Sequence, residues 1–383
     1  MRALAYFKKG DIRFTQLLEE PKIVAPDELI IDIAWCGICG TDLHEYLDDP
    51  IFFPEDGETN QISGLGLPQA IGHEISGVVS KVGVGVQNLR VGDHVVVEPT
   101  GTCRDRYRWS TAAHPNKEIC AACKKGLYNV CSYLGLYGAG VQSGGCAERM
   151  VINESHCFKI PDDFPLDIAT LIQPIAVCWH ALKVCDFKRG SSVLILGGGP
   201  IGLGTILALN GFGCTEIVVS EPARIRRELA AKMGAIPYDP SVRSHDESIE
   251  YLRSIAPGGD GFDYTFDCSG LPVTLKAAIR CLTYRGTAVN VAIWGDHPVN
   301  FLPMDITKQE KKYMGSMCYT ADDFLQVIHA FAEKKIDIEK ASHMITDKIP
   351  LELGIEKGIK KLITHKDQTI KVIMTPNYSK ELC

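Results

Sequence analysis

Between Ser192 and Leu209 the chain reads SVLILGGGPIGLGTILAL: an apolar run of β type, a glycine turn and a helix-forming run, with no charge in it. Gly197, Gly199 and Gly202 occupy the glycine positions of G-x-G-x-x-G, with Gly198, Pro200 and Ile201 between them, and the strand before and helix after supply the context that motif requires. The glycines permit a tight turn and let the backbone approach a pyrophosphate, whose charge then rests on a helix N-terminus. The uncharged stretch from Gly190 to Thr215 is long enough to be scored as a membrane span, but its eight glycines and Pro200 punctuate a strand, a turn and a buried helix instead. After the next strand, EIVVS, comes Glu221, nineteen positions past Gly202 and placed to accept hydrogen bonds from both hydroxyls of an adenosine ribose. A carboxylate there repels a 2′-phosphate and favours NAD(H). Arg224, Arg226 and Arg227 follow closely and are able to reach such a phosphate, so NADP stays open; their alternative role is an exposed helix face.

Further strands of the same kind, FDYTFDCSG (262–270) and TAVNVAI (287–293), alternate with helical segments, which implies a doubly wound parallel sheet over residues 166–304. Before it, short alternating runs such as Glu28 to Trp35 and Val91 to Val97 are broken by Gly, Pro and Asp, the pattern of a β-rich domain over residues 1–165. A charged helix from Asp322 to Glu333 and an apolar closing run, TIKVIMTP (369–376), assign residues 305–383 to a return into that first domain. The fold class is therefore α/β: a Rossmann domain inserted into a discontinuous β-rich domain. A length of 383 residues suits two domains.

Forty basic against 47 acidic residues, a net charge of −7, leave no footprint for nucleic acid. The opening MRALAYFKKGDIRF reads as a strand turned at Gly10 rather than a secretory leader. Fifteen cysteines without such a leader imply reduced thiols, some holding metal, in the cytosol, with the nucleus a second compartment.

Cys120-x-x-Cys123, with Cys131 eight positions on, gives three thiolates at zinc-like spacing, and Cys103 upstream can complete a tetrahedral all-cysteine site in a lobe spanning residues 99–135. A closed site of that kind is structural. Cys103 is the member that spacing alone does not require, since sixteen residues separate it from Cys120. A second, looser group comprises Cys39 in CGICGTDLH, His73 and Glu74 in GHEISG, and the stretch LIQPIAVCWH (171–180). A thiolate, an imidazole and an oxygen ligand with one open position would suit a catalytic zinc. Singly, each has a plain structural reading as buried thiol, core histidine or strand-edge charge.

Together the CGICGTDLH segment, the GHE motif, the four cysteines, GGGPIG and the DCSG turn (267–270) resemble the zinc-dependent medium-chain dehydrogenases/reductases over essentially the whole chain. Within that family the DLHEYLDDPIFFPEDGE stretch and the long Cys103–Cys120 insertion are similar to the fungal butanediol dehydrogenase and diacetyl reductase group. The resemblance implies a GroES-like β-rich domain, NAD(H), a structural and a catalytic zinc, a small diol or hydroxyketone substrate, no membrane partner and a homodimer. It matches Cys39 and His73 to catalytic zinc ligands and Glu74 to a carboxylate beside or on the metal. It matches Thr41 and His44 to a hydroxyl and imidazole that relay the substrate's proton. Position 173 departs from the pattern: Gln173 stands where Glu is expected. Either Cys39 is the only anion and the site, with a net charge near +1, is more acidic but holds its metal less tightly, or Glu74 enters the ligand shell with Cys39 and His73, Gln173 being ligand or supporting donor, and restores neutrality; loss of the metal is the third outcome. Longer polyols, and a dinucleotide-binding protein with a decayed metal site, are the alternatives to a diol dehydrogenase.

Overall fold

A computed structural model describes residues 1–48, 50–112, 118–295 and 298–377, and these form two compact units. The first comprises residues 1–173 and 345–383, the second residues 174–344.

The first unit is built around a mixed sheet whose centre is the long strand Glu28–Gly37. Its alternating ELIIDIAWCG pattern pairs antiparallel with Glu74–Val82 on one side and with Lys371–Thr375 on the other. The closing run read from sequence thus lands where a return was expected. Two registers matter below. Gly37 stands opposite Glu74 in one pairing and opposite Ile373 in the other. A Cβ on Gly37 would sit 2.0 Å from Glu74 Oε2, so glycine there makes room for that carboxylate. The opening strand turns at Gly10, with φ of 72°, into Asp11–Thr15. This unit extends to Gln173 rather than to residue 165, because the short helix Leu166–Ala169 packs on the two central strands and Ser76 Oγ donates to the Leu166 carbonyl at 2.5 Å.

The second unit is a six-stranded parallel sheet, in spatial order Ile236–Tyr238, Ile217–Ser220, Val193–Leu196, Phe262–Asp267, Leu282–Asn290 and Lys312–Gly315. Counted along the chain that is 3-2-1-4-5-6, the doubly wound order. The unit continues to Met344, past the boundary at residue 304 that the sequence pattern suggests. The short run KYMG was too brief to read as a strand, yet it adds the sixth member beside Leu282–Asn290. The helix Ala321–Ala332 follows and is held to the helix Ile172–Val184 by His180 Nδ1 to Asp323 at 2.7 Å and by Trp179 Nε1 donating to Gln326 at 2.9 Å. The stretch with membrane-like hydropathy is the buried strand Val193–Leu196 and the helix Pro200–Gly211; among the described residues no helix is long and apolar enough to cross a membrane.

Candidate active site and metal centres

The four cysteines of the expected structural site converge. The Sγ atoms of Cys103, Cys120, Cys123 and Cys131 all lie within 4.8 Å of one another, and Cys120 and Cys131 are 3.8 Å apart. Four sulfurs at the usual Zn–S length in a tetrahedron stand about 3.8 Å apart, so the cage fits zinc. Backbone N–H groups already face the sulfurs: Cys103 N donates to Cys131 Sγ and Cys120 N to Cys103 Sγ, both at 3.3 Å. Burial raises the Cys120 thiol, but the amides of Cys123 and Ser132 outweigh it and bring it down to about 5. Cys123 is pushed up by burial and by its sulfur neighbours. Four adjacent thiols cannot all ionise without a cation among them, which is the charge zinc supplies.

The second group gathers around the helix Gly40–Leu47, whose N-cap is Cys39. Asp42, at the third helical position, accepts the Cys39 N–H at 2.8 Å, while its other oxygen lies 3.7 Å from His73 Nδ1. Both Asp42 and His73 are buried, and Asp42 Oδ1 and His73 Nδ1 have no hydrogen-bond partner. Burial lowers the His73 imidazole, yet Asp42 and then Cys39, through charge and a hydrogen bond, push it up to about 10. A thiol and an imidazole brought together, with a carboxylate behind the ring, is the arrangement in which an outer carboxylate orients a metal-binding histidine. Thr41 Oγ1 lies 3.7 Å from Cys39 Sγ, and His44 is on the same helix one turn further, its Nδ1 2.9 Å from Asp48.

Glu74 lies close enough to raise the His73 imidazole through its charge, and its buried Oε2 has no hydrogen-bond partner. Its Oε1 accepts from Lys371 Nζ at 2.5 Å, and the same ammonium donates to the Ile38 carbonyl at 3.1 Å. Among the described residues the four thiols are the only set of three or more His, Cys, Asp or Glu side chains whose ligand atoms already converge on one point. Gln173 is buried in the first turn of the helix Ile172–Val184, the last residue of the first unit. Of the residues expected at a second zinc, Cys39 and His73 are brought together here, and the orphaned Asp42 Oδ1, His73 Nδ1 and Glu74 Oε2 atoms fit a metal drawing the imidazole into place.

Asp42 and Lys371 were not read from the sequence. Asp42 carried a signal, an acidic residue three positions after an N-cap before an apolar-periodic helix. Lys371 carried a fainter one, a single charge inside an apolar closing strand. Both members of its pair with Glu74 are essentially inaccessible to solvent. Removing one partner of a buried pair leaves an uncompensated charge, so Lys371→Met is expected to lower unfolding free energy by about 3 kcal/mol, read by denaturant titration, and Glu74→Gln, Lys371→Met together by less than the two singly.

In the second unit the glycine turn does what its motif requires. Gly197 has φ of 103°, and a Cβ on Gly202 would stand 1.9 Å from the Gly197 carbonyl oxygen, so the helix packs against the strand at a distance open only to glycine. Gly199 is the N-cap and Pro200 the first residue of the helix Pro200–Gly211, with Ile201 next. The Glu221 carboxylate is fixed beside the turn by the N–H groups of Gly198, at 2.6 Å, and Ala223, at 2.8 Å. Arg226 Nη1 lies 3.9 Å from Glu221. Arg227 is spent on Asp239 at 2.7 Å and Arg224 on Glu228 at 3.5 Å, which leaves Arg226 as the arginine facing the turn.

A dinucleotide-type parallel sheet and a β-rich unit carrying a four-thiol zinc cage define a zinc-binding dehydrogenase. Family comparison agrees: residues 25–162 match the alcohol dehydrogenase GroES-like domain and residues 200–333 the zinc-binding dehydrogenase family. The chain belongs to the zinc-dependent medium-chain dehydrogenases/reductases and is an oxidoreductase. It is 69% identical over 382 residues, all of this chain and 92% of the relative, to "Probable diacetyl reductase [(R)-acetoin forming] 2" of Saccharomyces cerevisiae. It is 50% identical over the full length of both chains to (R,R)-butanediol dehydrogenase of the same yeast. Among solved structures it is similar to 2R,3R-butanediol dehydrogenase from Bacillus subtilis, with a TM-score of 0.85 and 34% identity over 98% of this chain and 99% of that one.

Proposed function

We propose that this chain interconverts 2,3-butanediol, acetoin and diacetyl by direct hydride transfer with NAD(H). The observation that carries the substrate is its full-length likeness to a diacetyl reductase and a butanediol dehydrogenase. The geometry that supports NAD(H) is Glu221, anchored by two backbone amides where a 2′-phosphate would have to sit.

Zinc, when bound, would supply polarisation of the substrate oxygen, and a bound nicotinamide would supply the hydride donor or acceptor. The chain's own residues do the rest. Cys39 and His73, with Gln173, would hold the metal, Asp42 would fix the imidazole, and one oxygen of Glu74 is paired with Lys371. Hydride leaves without the hydroxyl proton, so that proton needs its own route. Thr41 Oγ1, beside the Cys39 thiol, takes it from the alcohol and passes it to His44, a neighbour at i+3 on the same helix. The His44 ring is half-exposed and its Nδ1 is bonded to Asp48, so its other nitrogen delivers the proton to water.

Exposed Tyr313 on the edge strand Lys312–Gly315, with exposed Leu302 and Met304 nearby in the chain, supports a homodimer formed at that edge. Free thiols at every described cysteine support the cytosol.

The test is a coupled substrate and cofactor panel. NADH-dependent reduction of diacetyl and acetoin is expected to exceed the NADPH-dependent rate by at least about tenfold in kcat/KM. Faster turnover of sorbitol or xylitol would move the assignment to longer polyols. NADH binding without turnover of any ketone would leave a dinucleotide-binding protein with a decayed metal site.

A further inference from the structure

Arg106, in the short helical turn Asp105–Arg108 of the cysteine lobe, is wholly withdrawn from solvent. Its Nε donates to the Gln61 carbonyl at 3.3 Å, and the other two guanidinium nitrogens, Nη1 and Nη2, have no hydrogen-bond partner among the described residues. The acids around it are committed elsewhere. Asp105 accepts from the Thr102 N–H at 2.7 Å and lies 3.3 Å from His156, while Glu28 is paired with Arg108 at 3.1 Å. Between Ala112 and Glu118 the sequence has neither Asp nor Glu. What Arg106 does touch is a ring: its Cζ stands 3.9 Å from the centroid of Tyr133. Tyr133 packs in turn against the cluster of Cys103, Cys123 and Cys131, and its backbone N–H donates to Cys131 Sγ at 3.4 Å. A buried cation without an anion is a costly arrangement, and here nothing but the neighbouring sulfurs can relieve it.

A divalent cation held by four thiolates is a dianion, and a buried dianion needs positive charge near it. We infer that Arg106 is the fixed countercharge of the four-cysteine metal site, compensated when the cage holds its metal and uncompensated when it does not. Burial makes the pairing effective, because neither solvent nor salt screens charges withdrawn from water as it does exposed ones. Arg104 supplies the contrast. Its Cζ lies 4.7 Å from the ring of Tyr128, which packs on the same cysteines, but its side chain is exposed and water screens it. The two states of the site therefore respond to loss of the Arg106 charge with opposite sign: the metal-loaded lobe is weakened and the metal-free one relieved. A side chain that only fills space would support both states alike.

The experiment uses the full chain, zinc-loaded as purified and again after metal removal under reducing conditions. In excess chelator, zinc-loaded Arg106→Met is expected to expose its cage thiols to N-ethylmaleimide about tenfold faster than wild type. Labelling is read by mass spectrometry at Cys103, Cys120, Cys123 and Cys131 alone, so a second zinc does not enter the reading. The denaturant midpoint of Arg106→Met falls when the protein is loaded, and stays level or rises when it is metal-free. Arg106→Gln, which keeps a donor for the Gln61 carbonyl but not the charge, behaves in the same way and serves where methionine does not fold. Arg106→Lys, which keeps a positive charge, is labelled at least about threefold more slowly than Arg106→Met, and Arg104→Met stays within about twofold of wild type. A midpoint that falls equally with and without metal would make Arg106 a packing residue and overturn the inference. So would labelling within about twofold of wild type in both neutral variants, lysine behaving as methionine does, or an equal effect from Arg104→Met.

Discussion

Cys123→Ser should yield a chain with one zinc where the wild type holds two, by elemental analysis of protein purified without chelator or added metal. It should also lower unfolding free energy by about 4 kcal/mol, because structural zinc contributes folding energy outright and serine offers no thiolate to replace the lost one. Cys123 is buried among the other three sulfurs, and in the cage it must lose the proton that burial and those sulfurs now hold on it. The damage should be confined. The root of the lobe is tied to the sheet independently of metal: Asp105 lies 3.3 Å from His156 Nε2, Arg108 3.1 Å from Glu28, and Thr100–Gly101 pairs with Gly135–Leu136. His156 is drawn up to about 10 because Asp105 and Glu98 together outweigh its burial, so that tie is ionic at neutral pH. Amide exchange should accordingly quicken across residues 118–134 while 105–108 stay protected. Two zincs per chain in the variant, or loss of protection at 105–108 as well, would show that the lobe does not fold by the route described.

The dinucleotide unit and the four-thiol cage were legible in the sequence because each rests on local chemistry. G-x-G-x-x-G works through adjacent backbone atoms, Cys120 and Cys123 share one tight turn, and Glu221 closes the next strand. Cys103, sixteen residues upstream of Cys120, is the one member of these sets whose place its spacing does not dictate. Lys371 is the opposite case. Nothing within ten residues of it explains an ammonium in an apolar strand, and its partner Glu74 lies 297 positions away, reached only because both strands flank Glu28–Gly37. The GHE motif sets Glu74 beside His73 in sequence, but that Lys371 takes one of its oxygens depends on a strand 297 positions away. The sixth strand was lost for an energetic reason. KYMG is largely exposed on one sheet edge and Ile236–Tyr238 is exposed at two of its three residues on the other, so both carry little of the apolar signal by which the four buried strands between them are recognised.

Cys39→Ser is expected to lower kcat by at least about 10³ and to remove the second zinc while leaving the first. The argument is one of charge. Of the groups proposed for that metal, His73 and Gln173 would bind as neutral donors, and Asp42, 3.7 Å from His73 Nδ1, would orient the imidazole. Glu74, which could have supplied a second negative charge, is matched by Lys371 at 2.5 Å in a wholly buried pair. With the thiolate of Cys39 as its single anionic ligand the proposed centre would carry a net charge near +1, more acidic toward a bound alcohol and more weakly held than a neutral one. Replacing that thiolate by a hydroxyl leaves a dication among neutral donors in a buried site, where no ligand compensates its lost hydration. Gln173→Glu should do the reverse, slowing loss of the second zinc to a chelator by about tenfold or more and bringing the centre to neutrality. Stability should barely respond to Cys39→Ser, since Cys39 is only partly buried and the Asp42 carboxylate still caps the helix through the backbone N–H of residue 39. A Cys39→Ser protein that keeps two zincs and turns over acetoin would place the metal, and the chemistry, somewhere other than beside His73.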